Sequence, residues 1–127
     1  MKNVPSKIAA VLAFGIGAMA IFAGGQVLMG KLPDYYVIDW LPIYNFTIGL
    51  TSAFFASFVI WKNGKLSLPV ALTTFSLHAL VMLVLQAVYR EVVAPDSIKA
   101  MTVRILAWLA ISALILVPAL LQKETTA

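Results

Sequence analysis

The sequence predicts an all-α integral membrane protein: a single four-helix bundle with antiparallel up-down topology and both termini on one side. Three observations predict it. Of the 127 residues, 62% are hydrophobic and 11% are charged, with a mean hydropathy of +0.99, whereas a soluble domain carries about 25% charged residues. Four long runs contain no Asp, Glu, Lys or Arg. The segments between them are short, so consecutive helices should return antiparallel. Disorder is excluded because it requires low hydrophobicity and high charge.

The first run is Ile8 to Gly30. Lys2 and Lys7 precede it, and Ala18-Met19-Ala20 has the form of a leader cleavage site. The apolar stretch continues well past that site, so a retained span is expected. The second run is Trp40 to Trp61 and the third Leu66 to Tyr89, separated by the Asn63-Gly64 turn signal. Ser67 is a candidate cap for the third helix, with Pro69 tolerated in its first turn. The fourth run is Ile105 to Gln122, and Ile98 to Arg104 extends its helix outward. Asp96 or Ser97 is its candidate cap, and Pro118 should only kink its last turns. The expected spans are therefore about 8–30, 41–61, 66–89 and 98–121, each near the roughly 20 residues that cross a ~30 Å hydrocarbon core. Residues 1–127 form one transmembrane domain.

Charge sets the orientation. The termini and the 62–65 turn carry Lys2, Lys7, Lys62, Lys65 and Lys123 against Glu124. The opposite side carries Lys31, Arg90, Lys99 and Arg104 against Asp34, Asp39, Glu91 and Asp96. Lys and Arg prefer the cytoplasmic side, which places both termini in the cytoplasm and the chain in a bacterial-type inner membrane. The cytoplasmic cations suit anionic lipid headgroups rather than nucleic acid. Tyr35, Tyr36 and Trp40 read as an aromatic belt at the outer interface, and Trp61 as the cytoplasmic counterpart.

Two stripes of small residues share one spacing. Ala13, Gly17, Ala20 and Gly24 fall on one face of the first span, and Asn45, Gly49, Ser52 and Ala56 on one face of the second. Small residues let helices approach closely in lipid. The expectation is that these stripes pack within the bundle; a homodimer face is the alternative.

The chemistry available is narrow. With no cysteine, thiol and disulfide chemistry are excluded. One histidine, His78, precludes a bis-histidine haem within the chain. No metal site, cofactor or catalytic constellation is expected. Small multidrug exporters depend on a membrane glutamate in the first span, which this chain lacks. Small fluoride channels carry a glycine-arginine signature with no counterpart here.

The polar residues that remain gather in the outer half. Arg104 lies about 10 Å deep and His78 near the midplane, counted at about 1.5 Å per residue. Asn45 and Gln86 sit roughly one turn below the outer surface, and Trp108 falls near the depth of His78. Thr74, His78, Met82 and Gln86 follow each other at steps of four, as do Arg104, Trp108 and Ser112. A buried Arg needs a carboxylate or access to water; Asp39, Glu91 and Asp96 are the candidate partners. A neutral His78 is expected to hydrogen-bond Thr74, Asn45 or a backbone carbonyl. The expected role is non-enzymatic, as an accessory, assembly or structural subunit in the bilayer, within a homodimer or larger membrane complex. The alternative is a small oligomeric transporter or channel whose outer vestibule is lined by Asn45, Gln86, Arg104 and His78.

Overall fold

In the computed structural model, residues 4–31, 33 and 37–126 are described, with side chains to residue 121. Lys2, Asp34, Tyr35, Tyr36 and the side chains of Lys123 and Glu124 lie outside the described residues. The fold is all-α. Its four long helices are α1 (Val4–Leu28), α2 (Leu41–Lys62), α3 (Ser67–Ala87) and α4 (Pro95–Thr126). Each is long and apolar enough to cross a membrane, and the described residues contain no strand.

The helix ends follow local chemistry. After α1, the Gly30 N–H donates to Val27 O at 3.0 Å and the Lys31 N–H to Gln26 O at 2.9 Å. This paired pattern satisfies the last carbonyls and needs a left-handed residue, which Gly30 supplies at φ +95°. Asn63 ends α2 in the same region, at φ 53°, which asparagine tolerates better than most residues. Its side-chain oxygen accepts from Ser6 Oγ at 2.7 Å, tying the start of α1 to the α2–α3 turn.

Two expected caps are corrected. Leu66, not Ser67, precedes α3, and no side chain caps that helix. The Ser67 hydroxyl instead donates to Val59 O at 3.1 Å, which fastens the turn from inside. α4 already begins at Pro95. Ala94 O accepts from the N–H groups of Ser97 and Ile98, so Asp96 and Ser97 are helical, and Asp96 complements the helix dipole from the first turn.

Around the bundle the neighbours run α1–α2–α3–α4 and back to α1. The diagonal partners α2 and α4 nowhere approach within 8 Å between Cα atoms. The two small-residue stripes meet, as expected for packing within the bundle. A Cβ added to Gly17 would lie 2.6 Å from Ala53 N and 2.8 Å from Gly49 O. One added to Gly24 would lie 2.5 Å from Pro42 O and 2.7 Å from Phe46 N. In mid-helix α2 widens into a π-helical segment, Thr51–Ala56. Ser52 and Ala53 are both buried there, although neighbouring α-helical positions stand about 100° apart.

The core has two parts. Towards the Asn63 end, Ala9, Ala13, Ala56 and Ile60 pack with Ala71, Trp108, Ile111 and Ile115. Towards the opposite end, Ile38, Leu41, Leu85 and Met101 form a second cluster. Between them in sequence on α2, α3 and α4 lie Asn45, His78 and Arg104.

Candidate functional site

Three of the four helices deliver polar groups to the gap between the two apolar clusters: Tyr44 and Asn45 from α2, His78 from α3 and Arg104 from α4. Arg104 comes from the third turn of α4. That is beyond the first turn, where the helix dipole acts strongly on a charge, so the position carries little dipolar penalty. A helical side chain leans toward the helix N-terminus, which carries the guanidinium up beside Met101; Nη1 lies 3.6 Å from Met101 Sδ. The same nitrogen donates to Asn45 Oδ1 at 2.6 Å. This bond spans the diagonal of the bundle, where the two backbones stay apart.

The expected carboxylate partner is a correction. Arg104 is 6% exposed, yet among the described residues neither Asp39, Glu91 nor Asp96 pairs with it. All three acids are exposed. Their positions explain this: each sits in a connecting segment or at a helix start, where a carboxylate keeps its hydration, and burial beside Arg104 would remove it. The neutral Asn45 amide is the partner instead. A guanidinium carries five N–H donors, so most of its capacity remains unused.

His78 is also partnered differently from expectation. Its Nδ1 lies 2.8 Å from Tyr44 Oη, with the rings edge to face at 5.8 Å. Thr74 instead donates back to Val70 O at 2.9 Å. Tyr44 is the residue that sequence reasoning missed. A phenol inside a charge-free run needs a partner when buried, and that was the available signal. Trp40 was likewise more than a belt residue, since its Nε1 donates to Tyr89 Oη at 3.0 Å.

Gln86 does not join the site. It is exposed and lines a separate pocket with Arg90, Val93 and Ile98. Steps of four advance 40° beyond a full turn at about 100° per residue, so three steps from Thr74 rotate Gln86 well off the buried face. Leu85 occupies that face in its place, fully buried. Trp108 and Ser112 are buried below Arg104, and neither Trp108 Nε1 nor Ser112 Oγ has a hydrogen-bond partner.

Arg104 and Asn45 line a pocket of about 80 Å³ between α1, the start of α2 and the start of α4. Asp96 and Ser97 also line it. Below it the Trp108 side chain is fully buried, and Ile111 and Ile60 fill the interior beyond. The arrangement offers a hydrogen-bonding cation, with the Asp96 carboxylate and the Ser97 hydroxyl at the same pocket. It can hold an anion; His78 is already engaged by Tyr44.

No protein-family model matches the chain, and no curated protein or solved structure matches it. The assignment of function therefore rests on the site.

Proposed function

We propose that the chain is a non-enzymatic four-span protein of a bacterial-type cytoplasmic membrane, with antiparallel helices and both termini cytoplasmic. Its role is to bind an anionic ligand at Arg104, as an accessory or assembly subunit in that membrane. One observation carries this reading: a guanidinium 6% exposed, bonded to a neutral amide and lining a pocket, with no carboxylate paired to it among the described residues. A structural arginine buried at this depth would be expected to carry a paired acid.

The orientation is supported by five Lys in the segments flanking the Asn63 end against four cations at the other. Binding is favoured over conduction by the second half of the bundle. Ala13, Ala56, Ile60, Trp108 and Ile111 are fully buried there, which supports closure of the pocket toward that end within one copy.

The test is thermal unfolding of the full chain in a neutral maltoside detergent, titrated with carboxylate and phosphate anions. A ligand at a hundred times its dissociation constant should stabilise the wild type by about 2.7 kcal/mol. Arg104→Met should abolish that response; it removes a buried charge but leaves Asn45 Oδ1 without its donor, so the unliganded variant should lie within about 1–3 kcal/mol of the wild type. Gln86→Ala, outside the site, should respond like the wild type. Loss of several kcal/mol in unliganded Arg104→Met, with no anion response in the wild type, would make the arginine structural and end this reading.

A further inference from the structure

Arg104 borders two spaces. One is the inner pocket of about 80 Å³. The other is a groove of about 230 Å³ between α1 and α4, lined by Ile16, Met19, Val103 and Lys99. Ala23, Ala100 and Arg104 line both. Ala23 and Ala100 are exposed, so only two methyl groups stand where the helices would otherwise wall off the interior. The side of the bundle is thin at the depth of the arginine.

The two spaces differ in charge. The inner pocket carries Asp96 among its lining residues, which opposes entry of a free anion from the helix ends. The groove has no acid, and Lys99 is exposed at it. Its walls are otherwise apolar. From Ile16 to Ala23 they run for about 10 Å along α1 at about 1.5 Å per residue. This route favours an anion attached to a hydrocarbon chain.

Size selects among such anions. A cavity of about 150 Å³ holds a benzene ring, so the inner pocket, at about 80 Å³, takes a smaller group. That accommodates a carboxylate and is too small for a glycerophosphate headgroup. The flat fork of an arginine also matches a carboxylate in a two-bond geometry.

We propose, on the anion reading of Arg104, that the ligand is a long-chain monocarboxylate. Its head enters from the lipid side between Ala23 and Ala100 to meet Arg104, and its chain lies in the α1–α4 groove. Lys99 steers the head toward the opening, and Asn45 holds the guanidinium in place to receive it.

The experiment uses the full chain in neutral maltoside detergent or phosphatidylcholine nanodiscs. Acetate, hexanoate, octanoate, laurate, dodecanol and phosphatidylglycerol are each titrated, with native mass spectrometry for stoichiometry and thermal unfolding for affinity. One laurate per chain is expected. Referred to the free aqueous concentration, affinity should rise by up to about tenfold for every two methylenes taken out of water until the groove is filled, and Arg104→Met, which keeps the groove, should lose the saturable one-per-chain binding. Dodecanol should bind at least about tenfold more weakly than laurate. Ala100→Leu narrows the opening and should lower laurate affinity by about tenfold or more; Ala23→Leu, on the facing helix, should do the same. An Arg104-dependent response to acetate that does not grow with chain length would overturn the lateral route and leave the anion reading standing. A response to phosphatidylglycerol equal to that for laurate would overturn the carboxylate assignment. Laurate binding that survives both alanine substitutions would overturn the position of the opening. The absence of any Arg104-dependent anion response would overturn this inference together with the reading beneath it.

Discussion

The contact between α1 and α2 can be tested with two glycines two positions apart. A Cβ at Gly15 meets nothing within 4 Å, whereas one at Gly17 would stand 2.6 Å from Ala53 N and 2.8 Å from Gly49 O. Ordinary contact begins at 3.4 Å. Both obstructing atoms are backbone, so no side-chain rotation relieves the clash, and the helices must separate. Separation loosens the Gly24 and Gly49 approaches too, since a Cβ at Gly49 would already lie 2.7 Å from both Gly17 O and Ile21 N. Overpacking of this kind costs about 1–3 kcal/mol. In a bilayer or detergent the unfolded state keeps its helices, so the usual helix-propensity gain of Gly→Ala is largely absent from both states.

Gly15→Ala should therefore lie within about 0.5 kcal/mol of the wild type, and Gly17→Ala should be about 1–3 kcal/mol less stable. The measurement is unfolding by titration of an anionic detergent into maltoside micelles, followed by tryptophan fluorescence. Trp108, fully buried one turn below Arg104, reports loss of tertiary packing while the helices persist. Equal midpoints for the two variants would refute the stripe-to-stripe contact. The small residues would then belong to an outer face, which is the homodimer alternative.

Substitutions at Tyr44, His78 and Trp108 address the interior. Tyr44→Phe removes the partner of His78 Nδ1 and should cost about 1–3 kcal/mol, the penalty of an unsatisfied buried group; the double variant with His78→Leu should recover part of that loss in the same detergent titration, and full additivity would deny the pair. Trp108 is packed in the core with an unpaired indole N–H. Trp108→Ala should cost about 3–5 kcal/mol, whereas Trp108→Phe should stay within about 1.5 kcal/mol, because it removes the orphan donor with part of the volume. A Phe variant as unstable as the Ala variant would mean that the indole N–H has a partner.

The four helices and the stripe contact were legible because their signals are periodic and long. Ala13 to Gly24 spans 11 residues, close to three full turns at about 3.6 residues per turn, so that stripe stays on one face. The row from Thr74 to Gln86 repeats every four residues without correction, and it drifts off the face before it reaches Gln86. The partners of Arg104 and His78 were not legible for a different reason. In helices apolar nearly all round, the pattern does not fix rotation, and the inward placement of both Tyr44 and Asn45 depends on how α2 seats against α1. That seating is set by backbone approach at Gly24, where Pro42 and Phe46 lie closest. The acids of the connections were plausible partners by depth alone, and the structure leaves all three exposed.

The two halves of the bundle embody opposite requirements. At the Asn63 end, alanines bring the helices together, and isoleucines and Trp108 fill what remains. The opposite half contains small residues too, yet there Ala23 and Ala100 leave space rather than close it. The difference lies in Arg104, whose side chain crosses to Asn45 where α2 and α4 do not meet. A methionine or leucine at that position would fill the space and avoid the desolvation of a charge. That exchange would also leave Asn45 Oδ1 without its donor, so the gain is full only if Asn45 is replaced as well. The arginine leaves a strong hydrogen-bond donor beside an opening in the apolar wall, and the proposed anion would occupy the space between them.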